Sequence, residues 1–442
     1  MIAVSKPIPT SAQTGSVNQA STTHNEHDPL EGMCDDGRIP KVKLPDYIRN
    51  PERWRYIPEG RLIEGNFVER FLVSSYALPV IFFEGDVGFG GGVSITDIDF
   101  RSQRRREFTG IFLSYTTEEQ QRYALTWKRF LYHQDLEEGG VVQEERSYVR
   151  TKVGYSKTLT RRFFGLGADT RESDETSYTD EVGGANLSLN LSLPHPGDNV
   201  VFDVGIAFDH HNLSEGKVND VPSTDEEFPG LVMSGDKHDL GWIRVGLRYD
   251  TRDSQASPYR GWTVGATLDA APLQSQNDTG ARYGAFAKVN IPVSAIFHGG
   301  AVGHEENPPT DVIAASAFLT DTTGDLPFYE LPTLGGNNTL RGFIAGRWTD
   351  RSAWHAAVEH RLWIVPRGIR FTDAIRIERV GAAPFIDVGS VAKDVSSLSS
   401  AEVHASLGVG LRLMLERQAV FRSDFGFSDE GFNYVLKFGM PF

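Results

Sequence analysis

NLSLNLSL, residues 186–193, puts Leu187, Leu189, Leu191 and Leu193 on one face of an extended chain and Ser188, Asn190 and Ser192 on the other. Successive side chains of a strand point to opposite sides, so this alternation predicts a β-strand with one apolar and one polar face. HASLGVGLRLML (404–415) and WIRVGLRY (242–249) repeat the pattern. Similar stretches recur near 90–100, 108–117, 122–133, 146–157, 199–211, 261–270, 282–292, 353–365 and 380–391. Most are longer than the ~5–6 residues common in soluble strands and match the ~9–11 of a tilted membrane strand. A soluble protein would need a second sheet against each apolar face.

Working outward, the period of two begins at Leu78 and runs to the last residue. These 365 residues, at roughly 23 per strand and turn, give about sixteen strands, an even number as barrel closure favours. The fold class expected is all-β, a transmembrane antiparallel β-barrel spanning 78–442. Its turns read as short at one end and long and acidic at the other, as in DLEEGGVVQEE (135–145) and EGKVNDVPSTDEEFPG (215–230). Leu189, Leu191, Val409 and Leu411 are then expected to face lipid, and Asn190, Gly410 and Arg412 the lumen. In NYVLKFGMPF, Tyr434, Leu436, Phe438, Met440 and Phe442 share one face, and the final Phe resembles the targeting signal of outer-membrane barrels.

Composition narrows the remaining choices. Forty-five glycines and 27 phenylalanines against five methionines favour strand over helix. A net charge of -15 argues against nucleic acid as a partner, since phosphate binding needs basic patches. Cys34 is the single cysteine, so no internal disulfide forms. No run approaches ~18 apolar residues, and MIAVSKPIPTSAQTG has no apolar core of a secretory signal. Residues 1–43 are polar and acidic and are expected to be disordered. Residues 44–77, with Trp54, Tyr56, Phe67, Phe71 and Leu72, are expected to form a short segment at the periplasmic mouth or in the lumen, with a helix near Gly65–Val73.

Three stretches resemble the bacterial surface antigen domain of the BamA/TamA family: LGGNNTLRGF (334–343) with RWTDRSAWHAAVEHRLWIV (347–365), GLRYDTRDSQASPYRGW (246–262), and APFIDVGSV (383–391). IFFEGDVGFGGGVSITDIDF (81–100) looks like the first barrel hairpin. The resemblance implies that the loop between strands eleven and twelve folds inward and that its LRGF arginine, here Arg341, meets acidic residues on the inner wall. Glu359 and Asp387 occupy the matching positions, with Gly342 and Phe343 beside the arginine. A buried guanidinium must find a carboxylate, and its fork suits bidentate pairing better than a lysine would. The resemblance also implies a lateral seam between the first and last strands. Gly88, Gly90, Gly91 and Gly92 would weaken the hairpin there, and Phe438 and Phe442 would lie on the closing strand. The periplasmic POTRA domains of the family have no counterpart in the pattern before residue 78.

Other motifs carry less. GDVGFGGG (85–92) needs a following helix to cradle phosphate, and alternating strand follows it. His210 and His211 fall on opposite faces of a strand, and HGGAVGHEE (298–306) matches no common metal spacing. SQRRREF (102–108) reads as a solvated basic turn, and Asp225, Glu226 and Glu227 as solvated charge. No G-x-S-x-G elbow occurs, so no enzyme is expected, and no cofactor or metal. The expected function is insertion or translocation of polypeptides at the bacterial outer membrane. The alternatives are a scaffold barrel that anchors or is plugged by a partner, and a passive pore. Expected partners are outer-membrane lipids, a periplasmic or outer-membrane protein, and unfolded client polypeptides.

Overall fold

Alternation becomes wall in a computed structural model that describes residues 38, 41–57, 59, 75–84, 88–137, 139–231, 237–300, 305, 307–370, 376–415 and 419–442. Sixteen strands form one antiparallel sheet, each bonded to the next in chain order. They are β1 (Ser75–Glu84), β2 (Gly88–Asp97), β3 (Glu107–Thr116), β4 (Gln121–Phe130), β5 (Tyr148–Phe163), β6 (Thr176–Leu193), β7 (Val200–Glu215) and β8 (Lys237–Asp250). The second half is β9 (Gly261–Gln274), β10 (Gly280–Val293), β11 (Asp311–Gly324), β12 (Ser352–Val365), β13 (Arg379–Ala392), β14 (His404–Leu415), β15 (Ala419–Ser428) and β16 (Gly431–Phe438).

The two faces sort as the alternation demands. Leu187, Ile206, Ile243, Leu247, Val409 and Leu411 are exposed on the outer face, whereas Asn190 and Arg412 are buried on the inner one. Exposed leucine and isoleucine around a whole sheet, with arginine inside, is the inverse of a soluble protein and fits a bilayer. No helix among the described residues is long and apolar enough to cross a membrane. The 365-residue stretch is therefore a transmembrane β-barrel of sixteen strands.

Chain order fixes which connections share a mouth. The near mouth holds 98–106, 131–137, 139–147, 194–199 and 251–260 and the described ends of the β10–β11, β12–β13 and β14–β15 connections, and the far mouth holds the alternate connections. This corrects the expected asymmetry of turns. DLEEGGVVQEE lies at the near mouth and EGKVNDVPSTDEEFPG at the far one, because the two are separated by an odd number of strands. Long acidic loops occur at both ends.

The 131–147 connection is ordered by the N-terminal segment. Trp54–Ile57 pairs antiparallel with Val141–Glu144, which pairs with His133–Asp135, giving a three-stranded sheet across the near mouth. Ile48, Trp54, Tyr56 and Val142 bury together, with Val42, Leu44, Tyr132 and Leu136 against them. Arg146 spans outward from this sheet, donating to the backbone oxygens of Asp250 and Arg252 on the neighbouring turn. The expected helix near Gly65–Val73, and Phe67, Phe71 and Leu72, lie outside the described residues, as do 1–37.

Candidate functional site

The loop between β11 and β12 enters the barrel. Thr333–Leu334 pairs with Trp348–Thr349, so the loop is a narrow hairpin whose tip carries Leu340-Arg341-Gly342-Phe343. Leu334, Leu340, Phe343 and Trp348 bury against Ala353 and Val391 of the wall and Ala168 of the far-mouth loop. Phe343 meets Trp348 edge to face, and Trp348 stacks on His404 at 3.7 Å. The apolar side of the hairpin is thus a small core inside the lumen.

Its polar side is a charge network. Arg341 Nε and Nη2 donate to Asp387 Oδ2 and Oδ1, each at 2.9 Å, a two-pronged pair. Arg341 Nη1 donates to Glu359 Oε2 at 2.8 Å and to Asp424 Oδ2 at 3.4 Å, and its backbone N–H also reaches Asp387. The guanidinium lies 3.5 Å from the centre of the Phe385 ring, so its face is covered while its edges are bonded. Arg341 is 1 % exposed and the three carboxylates are fully buried. Geometry of this kind is what a buried ion pair requires to offset desolvation.

Strand alternation explains how the partners converge. Glu359 on β12, Asp387 on β13, Arg412 on β14, and Arg422 and Asp424 on β15 all hold inward positions at neighbouring levels. Arg412 bridges Glu359 and Asp424 at 2.8 and 2.6 Å, and Arg422 donates to Asp424 at 2.9 Å. Arg361 donates to Glu359 at 3.0 Å, to Asn290, and to the backbone oxygen of Phe442. Asp424, Arg361 and Arg422 were not singled out in the sequence. The signal for them was present: FRSDFGF alternates charged inward positions with aromatic outward ones.

Gly342 has no alternative at its position. A Cβ there would lie 2.6 Å from the Phe427 oxygen and 2.7 Å from Ser406 Cβ, so the loop backbone rests directly on β14 and β15. Asn433 of β16 donates to the backbone oxygens of Arg341 and Phe343, both at 2.9 Å. The loop is therefore held by the strands that end the barrel.

The seam differs from expectation at Phe442. β1 and β16 are the edges of the sheet order, and no pairing joins them among the described residues. Gly88, Gly90, Gly91 and Gly92 lie on β2, one strand inside the edge, facing Glu84, Phe82, Ile81 and Val80 of β1. They lie in the first hairpin, on the strand behind the edge. Phe438 closes β16 opposite Phe421. Phe442 is not on that strand's outer face with Tyr434 and Leu436. The chain turns at Gly439, φ +89°, and Phe442 buries against Val312, Ala314 and Ala357 on the inner wall. The reason is Arg361, which bonds the Phe442 backbone and covers its ring at 5.4 Å.

The other candidates disperse. His210 pairs with Asp239 and His211 with Asp180 on opposite faces, and His298 bonds Asp311. His304 is outside the described residues. Among the described residues no three potential ligands cluster for a metal. The basic turn is paired as well as solvated, with Arg101 on Glu107 and Arg104 on Glu59 and Asp135. Arg104 and the Gly140 N–H hold the Glu59 carboxyl below its ordinary range, and burial pushes Asp253, in the 251–260 turn, up to about 6.

A membrane barrel of sixteen strands with an arginine loop clamped to its inner wall is the architecture of an outer-membrane assembly or transport barrel. Residues 89–440 match the Omp85 superfamily domain, and the chain belongs to that superfamily. Its fold is similar to BamA from Haemophilus ducreyi lacking POTRA domains 1–3, at TM-score 0.50 and 14% identity over 83% of this chain and 69% of that one. It is also similar to CdiB from Escherichia coli, at TM-score 0.52 and 11% identity over 83% of this chain and 61% of that one. No curated protein matches the chain in sequence.

Proposed function

We propose that this barrel inserts or translocates polypeptides at the bacterial outer membrane, with the β1–β16 seam as the lateral path and the Arg341 loop as a latch beside it. The observation that carries the reading is the bonding of Asn433, on edge strand β16, to the backbone on both sides of Gly342. Through it the loop and the seam strand are one unit. Edge strands offer unpaired backbone groups that template an incoming strand. The superfamily membership supports an outer-membrane location and polypeptides as clients. The near mouth, with its N-terminal sheet, then faces the periplasm and offers the surface for a partner protein.

The test is reconstitution of the full chain in liposomes with an unfolded outer-membrane client, scored by protease protection of the inserted client. Insertion above the level of empty liposomes is expected. No insertion, together with steady single-channel conductance in a planar bilayer, would leave a passive pore instead.

A further inference from the structure

The lumen is charged unevenly. Over β12–β15 the inward charges belong to the latch network, except Arg379 at the near end of β13, which bonds the backbone oxygens of Asn307 and Pro308. Across from it, β4 and β5 turn Arg122, Lys128, Arg150 and Lys152 inward, on the parity opposite to the outward Tyr123, Leu125 and Val153. None of the four makes an ion pair among the described residues. Arg122 and Arg150 are exposed although they face inward, which places them against open lumen. Lys128 rests between the rings of Phe130 and Tyr148, at 4.2 and 4.0 Å.

Register arranges them as a ladder. Lys128 stands opposite Arg150, Thr126 opposite Lys152, and Arg122 opposite Ser156. The cations therefore occupy three of four successive inward levels, the Ala124–Gly154 level carrying none, over roughly 20 Å along the wall at ~3.3 Å per residue. Neighbouring inward groups on β3 and β6 are Phe112, Ser114, Asn186, Ser188 and Asn190, with no carboxylate among them. The next strand, β7, carries Asp203, which Arg248 takes, and Asp209, which His211, Arg244 and Lys152 share. Like charges directly opposite, as in Lys128 and Arg150, cost stability. A wall that keeps four cations in register without an ion pair, with Glu144 and Glu145 only near Lys128 and Asp209 only near Lys152, is suited to an anionic occupant.

From this we infer that the β4–β5 wall is a binding track for extended acidic polypeptide. An extended peptide presents one face every second residue, at about 6.6–6.8 Å, which is the spacing of the Lys128–Arg150 and Lys152 levels, and twice that spacing reaches Arg122. Carboxylates at alternate positions can each meet a cation, and the serine and asparagine side chains beside the ladder satisfy the peptide backbone. A compact anion would engage one rung only. The inference rests on the proposed handling of polypeptides and names the client segments the lumen holds.

The experiment measures fluorescence anisotropy of labelled repeat peptides with the full chain in nanodiscs. A Glu-Ser repeat is expected to bind, and to weaken as salt shortens the Debye length to about 3 Å. A Lys-Ser repeat is expected not to bind. The double variant Arg150→Gln/Lys152→Gln should lose about tenfold or more in affinity, and Lys217→Gln, in a far-mouth loop, none. Arg122→Gln alone, at an exposed position, serves if the double variant does not fold. Equal binding of both repeats, unchanged affinity in the ladder variants, or displacement by equimolar inorganic phosphate would overturn the track. Client insertion is read in the same preparation with a client lacking acidic runs. Insertion without peptide binding removes the track alone, and peptide binding without insertion removes the proposed function alone.

Discussion

At Arg341 one side chain ties a loop to three strands. Removing it strands Asp387 in a buried place and takes one of three guanidinium partners from Glu359 and from Asp424, so Arg341→Ala is expected to cost on the order of 3–5 kcal/mol. Asp387→Asn should cost a similar amount, and the double variant less than the sum, because either change already breaks the shared contact. Urea unfolding in detergent measures all three, and full additivity would mean the pair does not act together. Asp253 gives a second residue-scale outcome. Its folded carboxyl titrates at about 6, above the ordinary value of 3.8, so the folded state holds its proton more tightly. Stability from this group is full below the ordinary value and falls as pH rises from about 4 to about 6. Asp253→Asn keeps an acceptor for the Tyr259 and Arg260 N–H groups and removes the titration. Relative to that variant, the native chain should lose urea stability between those pH values, and parallel curves would contradict this.

Strands show what depth means here. Leu187, Ile206 and Ile243 sit level with one another across β6, β7 and β8, whereas Leu191 lies two residues from the near end of β6. Ile206→Arg should therefore cost roughly 2–4 kcal/mol and Leu191→Arg roughly 0–1. Equal costs in refolding titrations would place the bilayer elsewhere. In the first hairpin, Gly91 has open space where a side chain would be and stands opposite the exposed Tyr115 of β3. Gly91→Val completes a cross-strand pair worth roughly 0.2–1 kcal/mol and should slow client insertion while raising stability. Faster insertion would argue against a weak hairpin as part of the seam. Alternation made most strands legible, because lipid outside and water inside impose opposite preferences on adjacent residues. It missed β11, DVIAASAFLTDTTG, where alanines stand on both faces and contrast is lost. The inward turn at Gly439 was also hidden, since a period of two carries on through Met440 and Phe442 whether or not the strand does. Arg341 was readable only because its loop resembled a family. Its further partners needed the register of β14 and β15, which brings residues tens of positions apart to one level.

For the whole molecule, both mouths are narrowed by the chain itself. The Arg341 hairpin is fastened at the far mouth by Arg347, which pairs with Glu430 and donates to Thr170, and the N-terminal sheet crosses the near mouth. Trp54 is buried in that sheet and donates to the Arg49 oxygen. Trp54→Ala should cost about 3–5 kcal/mol locally and expose 41–57 to protease while the barrel stays folded. Limited proteolysis with a gel assay of barrel folding checks this, and an uncleaved segment in the variant would show that the sheet is held mainly by other contacts.

Phe442 lies inside the wall, one guanidinium away from Glu359 and two away from Asp387. Any residue joined after it must either follow it into the lumen or draw it out. A purification handle fused there would thus pull on the same line of charges that clamps the Arg341 hairpin, and could be mistaken for a loss of activity. The 216–231 stretch at the far mouth, remote from that line, is the safer place to grip the molecule.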